Sequence, residues 1–187
     1  MRIIAGKHRG RNLLPPLGDV TRPITDRAKQ SLFDILAPTL EDARVYDCFA
    51  GTGSMGLECL SRGAAAVKFF EADRSAIERL KKNIAAMDDE HRCRIIAGDL
   101  FKWFAQAPAP DAKDRGDIIF LDPPYRFLRE RPADLQTLAG VFVSAHLAAD
   151  GAVIFRHDAA DALELPGLKR YDLREYGGMQ LEFMTCA

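Results

Sequence analysis

The chain has 187 residues, 48% of them hydrophobic and 28% charged, with a formal net charge of −1. This length supports one domain with a sizeable core and is short for two. No stretch approaches the ~20 apolar residues that cross a bilayer, and residues 1–11 lack the apolar core of a secretion signal, so a cytoplasmic protein without a membrane partner is expected.

The cysteines (Cys48, Cys59, Cys93, Cys186) and histidines (His8, His91, His146, His157) are scattered, with no C-x-x-C pair and no ligand-like spacing. Reduced thiols and packing or surface histidines are therefore expected, with no metal site and no disulfide framework. The near-neutral total hides an asymmetry. Residues 1–30 hold seven basic side chains (Arg2, Lys7, Arg9, Arg11, Arg22, Arg27, Lys29) against Asp19 and Asp26, a net of +5 that leaves −6 for the rest. Lysine and arginine gain by displacing counterions from phosphates, so this segment reads as a polyanion-binding arm. A merely solvated face would account for the charge equally well.

In chain order, Ile3-Ile4 and Leu13-Leu14 flank a Gly-Lys-His-Arg-Gly-Arg turn and precede a Pro-rich stretch. Residues 1–24 thus read as a small hairpin extension with an irregular connection, set before a domain over 25–187. Thr25 can cap a helix whose apolar positions are Ala28, Leu32, Ile35 and Leu36, closed at Pro38. From Arg44 the pattern repeats strand, turn and helix. Strands are expected at 45–49, 67–70, 94–97, 118–121 and 152–156. Helices are expected up to Arg62, over 74–87, around Phe101 and Phe104, and over 133–147. A surface loop spans 107–116, and a last hairpin turns at Gly177-Gly178. This alternation predicts a doubly wound, mostly parallel α/β sheet with an antiparallel edge. In such folds ligands bind beyond the carboxyl ends of the strands.

Gly51-x-Gly53-x-x-Gly56 lies between the first strand and its helix, and Glu71 ends the next strand. By spacing this matches the dinucleotide fingerprint, a weak signal when taken alone. Glycines admit a ligand close to the backbone, and the carboxylate can accept both ribose hydroxyls. A tight strand–helix turn with a capping acid would explain the loop but not Glu71. The discriminating residue is Asp47. A pyrophosphate at the helix N-terminus would be repelled by this carboxylate at a cost of order 1–4 kcal/mol. S-adenosylmethionine carries no phosphate, and Asp47 attracts both its ammonium and its sulfonium. Asp99 is placed to accept from the adenine amino group, with the Leu100 amide facing a ring nitrogen. Phe49 and Asp73 complete the candidate cofactor set.

Asp122-Pro123-Pro124-Tyr125 follows the apolar strand 118–121. An exocyclic base nitrogen is a poor nucleophile because its lone pair is delocalised into the ring. Acceptors on its two N–H groups, the Asp122 carboxylate and the Pro123 carbonyl, would draw the nitrogen toward tetrahedral geometry. The two prolines preset the turn, Tyr125 offers a stacking face, and Asp122 can receive the departing proton. Asp122 also borders the cofactor. A stiff Pro-Pro turn is the plainer reading, and its position after a matched cofactor loop weakens it.

These residues resemble the RsmD family of bacterial small-subunit (16S) ribosomal RNA guanine-N2 methyltransferases over nearly the whole chain. The resemblance is carried by Arg2-Ile3-Ile4-Ala5-Gly6-Lys7-x-Arg9-Gly10-Arg11, by Arg22-Pro23-x-Thr25-Asp26-Arg27, by the stretch from Asp47 to Ala64, and by Leu121 to Tyr125. It implies a three-layer Rossmann-like methyltransferase fold with a seven-stranded sheet and an N-terminal extension that helps hold RNA. It also implies S-adenosylmethionine as cofactor, and methyl transfer to the N2 amine of one guanine in 16S rRNA or the small ribosomal subunit. Arg2, Lys7, Arg9, Arg11, Arg22, Thr25 and Arg27 form the implied RNA contact, and a monomer is expected. Gln30, Gly178-Met179-Gln180 and the strand ending Arg156-His157 depart from the usual pattern. The alternatives are a DNA adenine-N6 or other nucleic-acid amino-methyltransferase, and a non-catalytic RNA-binding assembly factor. An NAD-dependent oxidoreductase is disfavoured by Asp47.

Overall fold

A computed structural model describes residues 1–17 and 24–187; Arg22, one of the expected RNA contacts, lies outside the described residues. The strands are β1 (Arg44–Cys48), β2 (Ala66–Glu71), β3 (Cys93–Ala97), β4 (Gly116–Leu121), β5 (Leu147–Asp158), β6 (Leu168–Tyr176) and β7 (Met179–Cys186). They form one seven-stranded sheet of order β3-β2-β1-β4-β5-β7-β6. The first five run parallel; β7 pairs antiparallel with both β5 and β6. The helices are α1 (Asp26–Leu36), α2 (Ser54–Ser61), α3 (Arg74–Ala85), α4 (Leu100–Gln106), α5 (Phe127–Glu130) and α6 (Pro132–Val141).

The alternation of side chains along each strand splits the core into two layers. Val45, Val67, Phe69, Ile118, Phe120 and Ile154 face α1, α2 and α3. Tyr46, Cys48, Phe70, Ile119, Leu121 and Phe155 face α4, α5 and α6. Only a sheet covered on both faces buries such apolar strands, and this is the expected three-layer arrangement. Thr25 caps α1 as expected, its hydroxyl accepting from the Ala28 amide at 3.2 Å. The final hairpin turns at Gly177 and Gly178, with φ of 54° and 82°.

One expectation shifts. The helix expected over 133–147 ends at Val141, followed by a wide helical turn over Phe142–His146, and β5 starts at Leu147. Gly140 lies inside the last turn of α6 rather than beyond it, and the apolar run Val141-Phe142-Val143 that follows carries no stop signal. A bulge between Gly116 and Ile118 lets β5 pair early. The N-terminal hairpin forms as expected: Arg2 and Asn12 make an antiparallel bridge, the Ile3 amide donates to the Arg11 carbonyl at 2.9 Å and the Leu13 amide to the Met1 carbonyl at 3.0 Å, and Ile3 and Leu13 are buried in the α1–α3 layer.

Candidate active site

From β1 the chain winds outward through β2 and β3, and from β4 the other way through β5. The reversal leaves a crevice at the shared carboxyl ends of β1 and β4. Cys48 lies opposite Leu121 across these strands, and the Asp122 amide donates to the Cys48 carbonyl at 3.4 Å. The two sequence motifs are thereby brought side by side.

The glycine loop starts at Phe49, which adopts a left-handed φ of 64°. Gly53 and Gly56 are required by packing: a Cβ would fall 2.4 Å from Leu80 at Gly53, and 2.4 Å from Phe69 at Gly56. Gly51 differs, because a Cβ there would meet nothing within 4 Å, leaving open space above the loop. Gly98, before Asp99, is open in the same way. Asp47 is buried, 2% exposed, and accepts from the Gly56 amide at 2.9 Å. Burial pushes its carboxyl up to about 8, and the Asp122 and Glu71 charges add to this; the Gly56 amide and the Lys29 ammonium oppose it. The Asp122 and Glu71 charges thus bear on Asp47, and a cation bound beside it would favour its ionised form.

Glu71 has work within the protein. Its Oε2 accepts from the Gly51 amide at 2.7 Å, and its Oε1 accepts from the Ala72 and Asp73 amides, each at 2.8 Å. A carboxylate offers about four lone-pair sites, so the three amides leave capacity for about one further hydroxyl rather than two. Asp73 caps α3 through the Ala76 amide at 2.8 Å. Asp99 caps α4 through the Phe101 and Lys102 amides at 2.9 and 3.4 Å. Each cap uses a single oxygen, Oδ1. Leu100 is buried as the first residue of α4.

Asp122 retains 24% side-chain exposure at the floor of the crevice. Burial there pushes its carboxyl up, and Arg156 pulls it back. The Arg156 Nη1 lies 2.9 Å from Asp122 Oδ2, and the Tyr125 side chain hydrogen-bonds the same guanidinium. Beside this turn, Phe49, Phe101 and Phe127 form a triangle with ring centroids 5.8 to 6.3 Å apart. Arg131 lies 4.1 Å over the Phe101 ring. Residue spacing did not show Phe101 and Phe127 as neighbours of Phe49, nor Arg131 over those two rings. For Arg156 there was a signal, a charge at the end of an apolar strand, but nothing to name its partner.

The basic segment does not gather at the crevice. The turn after Ala5 docks on the end of α2: the Lys7 amide donates to the Ser61 carbonyl at 2.7 Å, and the His8 amide to the Ser61 hydroxyl at 3.0 Å. A Cβ at Gly6 would fall 1.8 Å from the Ser61 carbonyl oxygen, so only glycine permits the approach. Arg11 donates to the Ala86 carbonyl at the end of α3, and Lys7 and His8 both reach Asp89. Lys7, Arg9 and Arg11 are exposed but lie at the helix ends remote from the glycine loop, about 12 Å away along the eight-residue α2. Arg2 pairs with Asp26 at 2.8 Å at the start of α1, next to Thr25 and the exposed Arg27.

Lys29 belongs with neither group. Its 1% exposed ammonium donates to Ser54, the first residue of α2, at 3.1 Å and to the Arg2 carbonyl at 3.2 Å, and it pairs with Glu58 at 2.9 Å. Glu58 also accepts from the Ile4 and Ala5 amides and from Arg62. Burial pushes the Glu58 carboxyl up, but Lys29, the Ile4 amide and Arg62 outweigh it and hold it below its ordinary range. This network ties the N-terminal segment to the helix that opens from the glycine loop.

Comparison with known proteins gives a consistent picture. The family model described as "Conserved hypothetical protein 95" matches residues 1–185. Ribosomal RNA small subunit methyltransferase D of Escherichia coli K12 is 41% identical over 126 residues, covering 67% of this chain and 61% of that protein. YlbH of Bacillus subtilis, named as a candidate rRNA methyltransferase, is 34% identical over 166 residues, 89% of this chain and 86% of that one. The solved structure of the Escherichia coli protein yhhF, named as a candidate methyltransferase, superposes with a TM-score of 0.82 at 31% identity, over 100% of this chain and 97% of that one.

Proposed function

This chain belongs to the family described as Conserved hypothetical protein 95, and from that premise we propose that it transfers a methyl group from S-adenosylmethionine to the N2 amine of a guanine in small-subunit (16S) ribosomal RNA. The observation that carries the reading is the pairing of a buried carboxylate under an open glycine loop with an Asp-Pro-Pro-Tyr turn on the next strand. The residues fit the cofactor. Burial and the Asp122 and Glu71 charges make Asp47 costly to ionise; a pyrophosphate would add to that cost and a cationic ligand would relieve it. The open face at Gly51 gives the cradle, and Asp47, Phe49, Gly53, Gly56, Glu71, Asp73, Asp99 and Leu100 would surround it. When bound, S-adenosylmethionine supplies an electrophilic methyl group on a sulfonium.

The remaining work falls to the chain. Asp122 and the Pro123 carbonyl accept from the two N–H groups of the target amine and return its lone pair to the nitrogen. Pro123 and Pro124 fix the turn, so this geometry is set before the base arrives. Tyr125 stacks on the base that leaves the helix or loop. Once the nitrogen has four substituents, Asp122 takes its surplus proton. Arg2, Thr25 and Arg27 guide the RNA backbone near the crevice; Lys7, Arg9 and Arg11 extend the contact along the α2–α3 side. The extension over 1–24 acts as the RNA arm of a monomer.

The test is labelled methyl transfer to unmethylated small subunits, free rRNA and duplex DNA in parallel, followed by nucleoside analysis. N2-methylguanosine in the ribosomal samples is expected. Label in DNA adenine, or tight cofactor binding with no transfer, would overturn the assignment.

A further inference from the structure

The chemistry above leaves a buried charge beside Asp122 unused. Arg156 ends the apolar run Val153-Ile154-Phe155 on β5, is 7% exposed, and places Nη1 2.9 Å from Asp122 Oδ2. A guanidinium does not lose its proton, and in a desolvated site it persists only when paired. Burial works against its charge here, but Asp122 and Tyr125 outweigh burial and keep it charged. Arg156 on β5 favours the ionised form of Asp122 and burial opposes it, while the Asp122 charge in turn raises Asp47 on β1. Tyr125, from the turn itself, hydrogen-bonds the same guanidinium.

We propose that Arg156 is a positioning residue for methyl transfer: it keeps Asp122 ionised, holds it by Oδ2 so that Oδ1 meets the substrate N–H, and steadies Tyr125 against the incoming base. The fork of a guanidinium suits this double task, because one planar group can address a carboxylate and a hydroxyl together. The inference rests on the methyltransferase reading.

The test compares Arg156→Gln and Arg156→Lys with wild type in three measurements. These are the titration of the Asp122 side-chain carbon by NMR in the free protein, the pH profile of kcat, and the affinity for S-adenosylhomocysteine. Arg156→Gln removes the opposing charge. The Asp122 titration and the acidic limb of kcat should both move to higher pH by about one unit or more. At neutral pH kcat should fall about tenfold or more, with KM for RNA and cofactor affinity within about twofold of wild type. Arg156→Lys keeps the charge but loses the fork, so the limb stays in place while kcat falls severalfold. A folded Arg156→Gln protein with an unmoved Asp122 titration, or a loss equal at every pH, would overturn the proposal. If Arg156→Gln does not fold, wild-type kcat in Arg156→Lys would overturn it. Should the wild-type protein transfer no methyl group to RNA, the functional reading fails. The Asp122 titration in the free Arg156→Gln protein still decides whether Arg156 controls that carboxylate.

Discussion

At the crevice, Asp47 is withdrawn from water and answered by the Gly56 amide, and the half-buried Asp122 is answered by Arg156. Along the N-terminal segment, Lys7, Arg9 and Arg11 stand in solvent around the ends of α2 and α3. The difference decides how each region acts. A desolvated carboxylate exerts a strong, short-ranged field whose direction is set by the fold, which suits chemistry on one atom. An exposed cation is screened within about 8 Å at physiological salt, and it contributes by number rather than by placement. Between the two regions lies the Lys29–Glu58 pair, buried like the first and attached to the second.

The largest effect is expected at that join. Glu58→Ala leaves Lys29 buried without its partner and frees the Ile4 and Ala5 amides, at a cost of about 3–5 kcal/mol, read as a fall in the denaturation midpoint. Lys29→Met combined with Glu58→Met should recover part of it. A change below about 1 kcal/mol on Glu58→Ala would mean the two regions are held together by apolar packing alone. Next, Asp122→Asn, which keeps an amide oxygen for Arg156, should lower methyl transfer by about a hundredfold or more; turnover above about a tenth of wild type would remove its role at the amine.

Asp47→Asn separates stability from function. Its carboxyl is raised to about 8 in the folded protein, so the stability linked to its proton is full at low pH and is lost as pH rises through that value. The asparagine variant should be more stable than wild type above pH 8, by about 1 kcal/mol or more, and should bind S-adenosylhomocysteine about tenfold more weakly or worse. Equal stability of the two proteins across pH 6 to 9 would count against a desolvated Asp47. The smallest effect is expected from neutralising Lys7, Arg9 and Arg11 together. RNA binding should weaken severalfold at low salt and its salt dependence should flatten, with cofactor affinity unchanged. If neutralising Arg2 and Arg27 instead gives the larger change, the RNA path stays close to the crevice.

The sequence carries the crevice better than the arm for the same physical reason. Turn chemistry at Asp47–Gly56 and at Asp122-Pro123-Pro124-Tyr125 is local, so residue type and spacing report it directly, and strand periodicity puts both at carboxyl ends. The partners are not local. Arg156 meets Asp122 across 34 positions, and Ile4 meets Glu58 across 54. The amides that occupy Glu71 and the caps at Asp73 and Asp99 are equally invisible before folding, because a carboxylate in a post-strand turn serves a ligand or its own helix with the same residue type. For the arm, charge is legible but direction is not. The close approach of Gly6 to Ser61, which sends residues 7–11 to the far end of α2, depends on a contact that no periodicity encodes. The early end of α6 was hidden because an apolar run without a cap reads equally as helix or strand.

The most direct measurement is calorimetric titration of the protein with S-adenosylhomocysteine and with NAD at several pH values between 6 and 9. S-adenosylhomocysteine should bind, with affinity rising toward pH 8 as Asp47 becomes ionised and with protons released on binding below that pH, while NAD gives no heat. Binding of NAD, or an affinity for S-adenosylhomocysteine that is flat over this range, would contradict a crevice governed by its buried carboxylates.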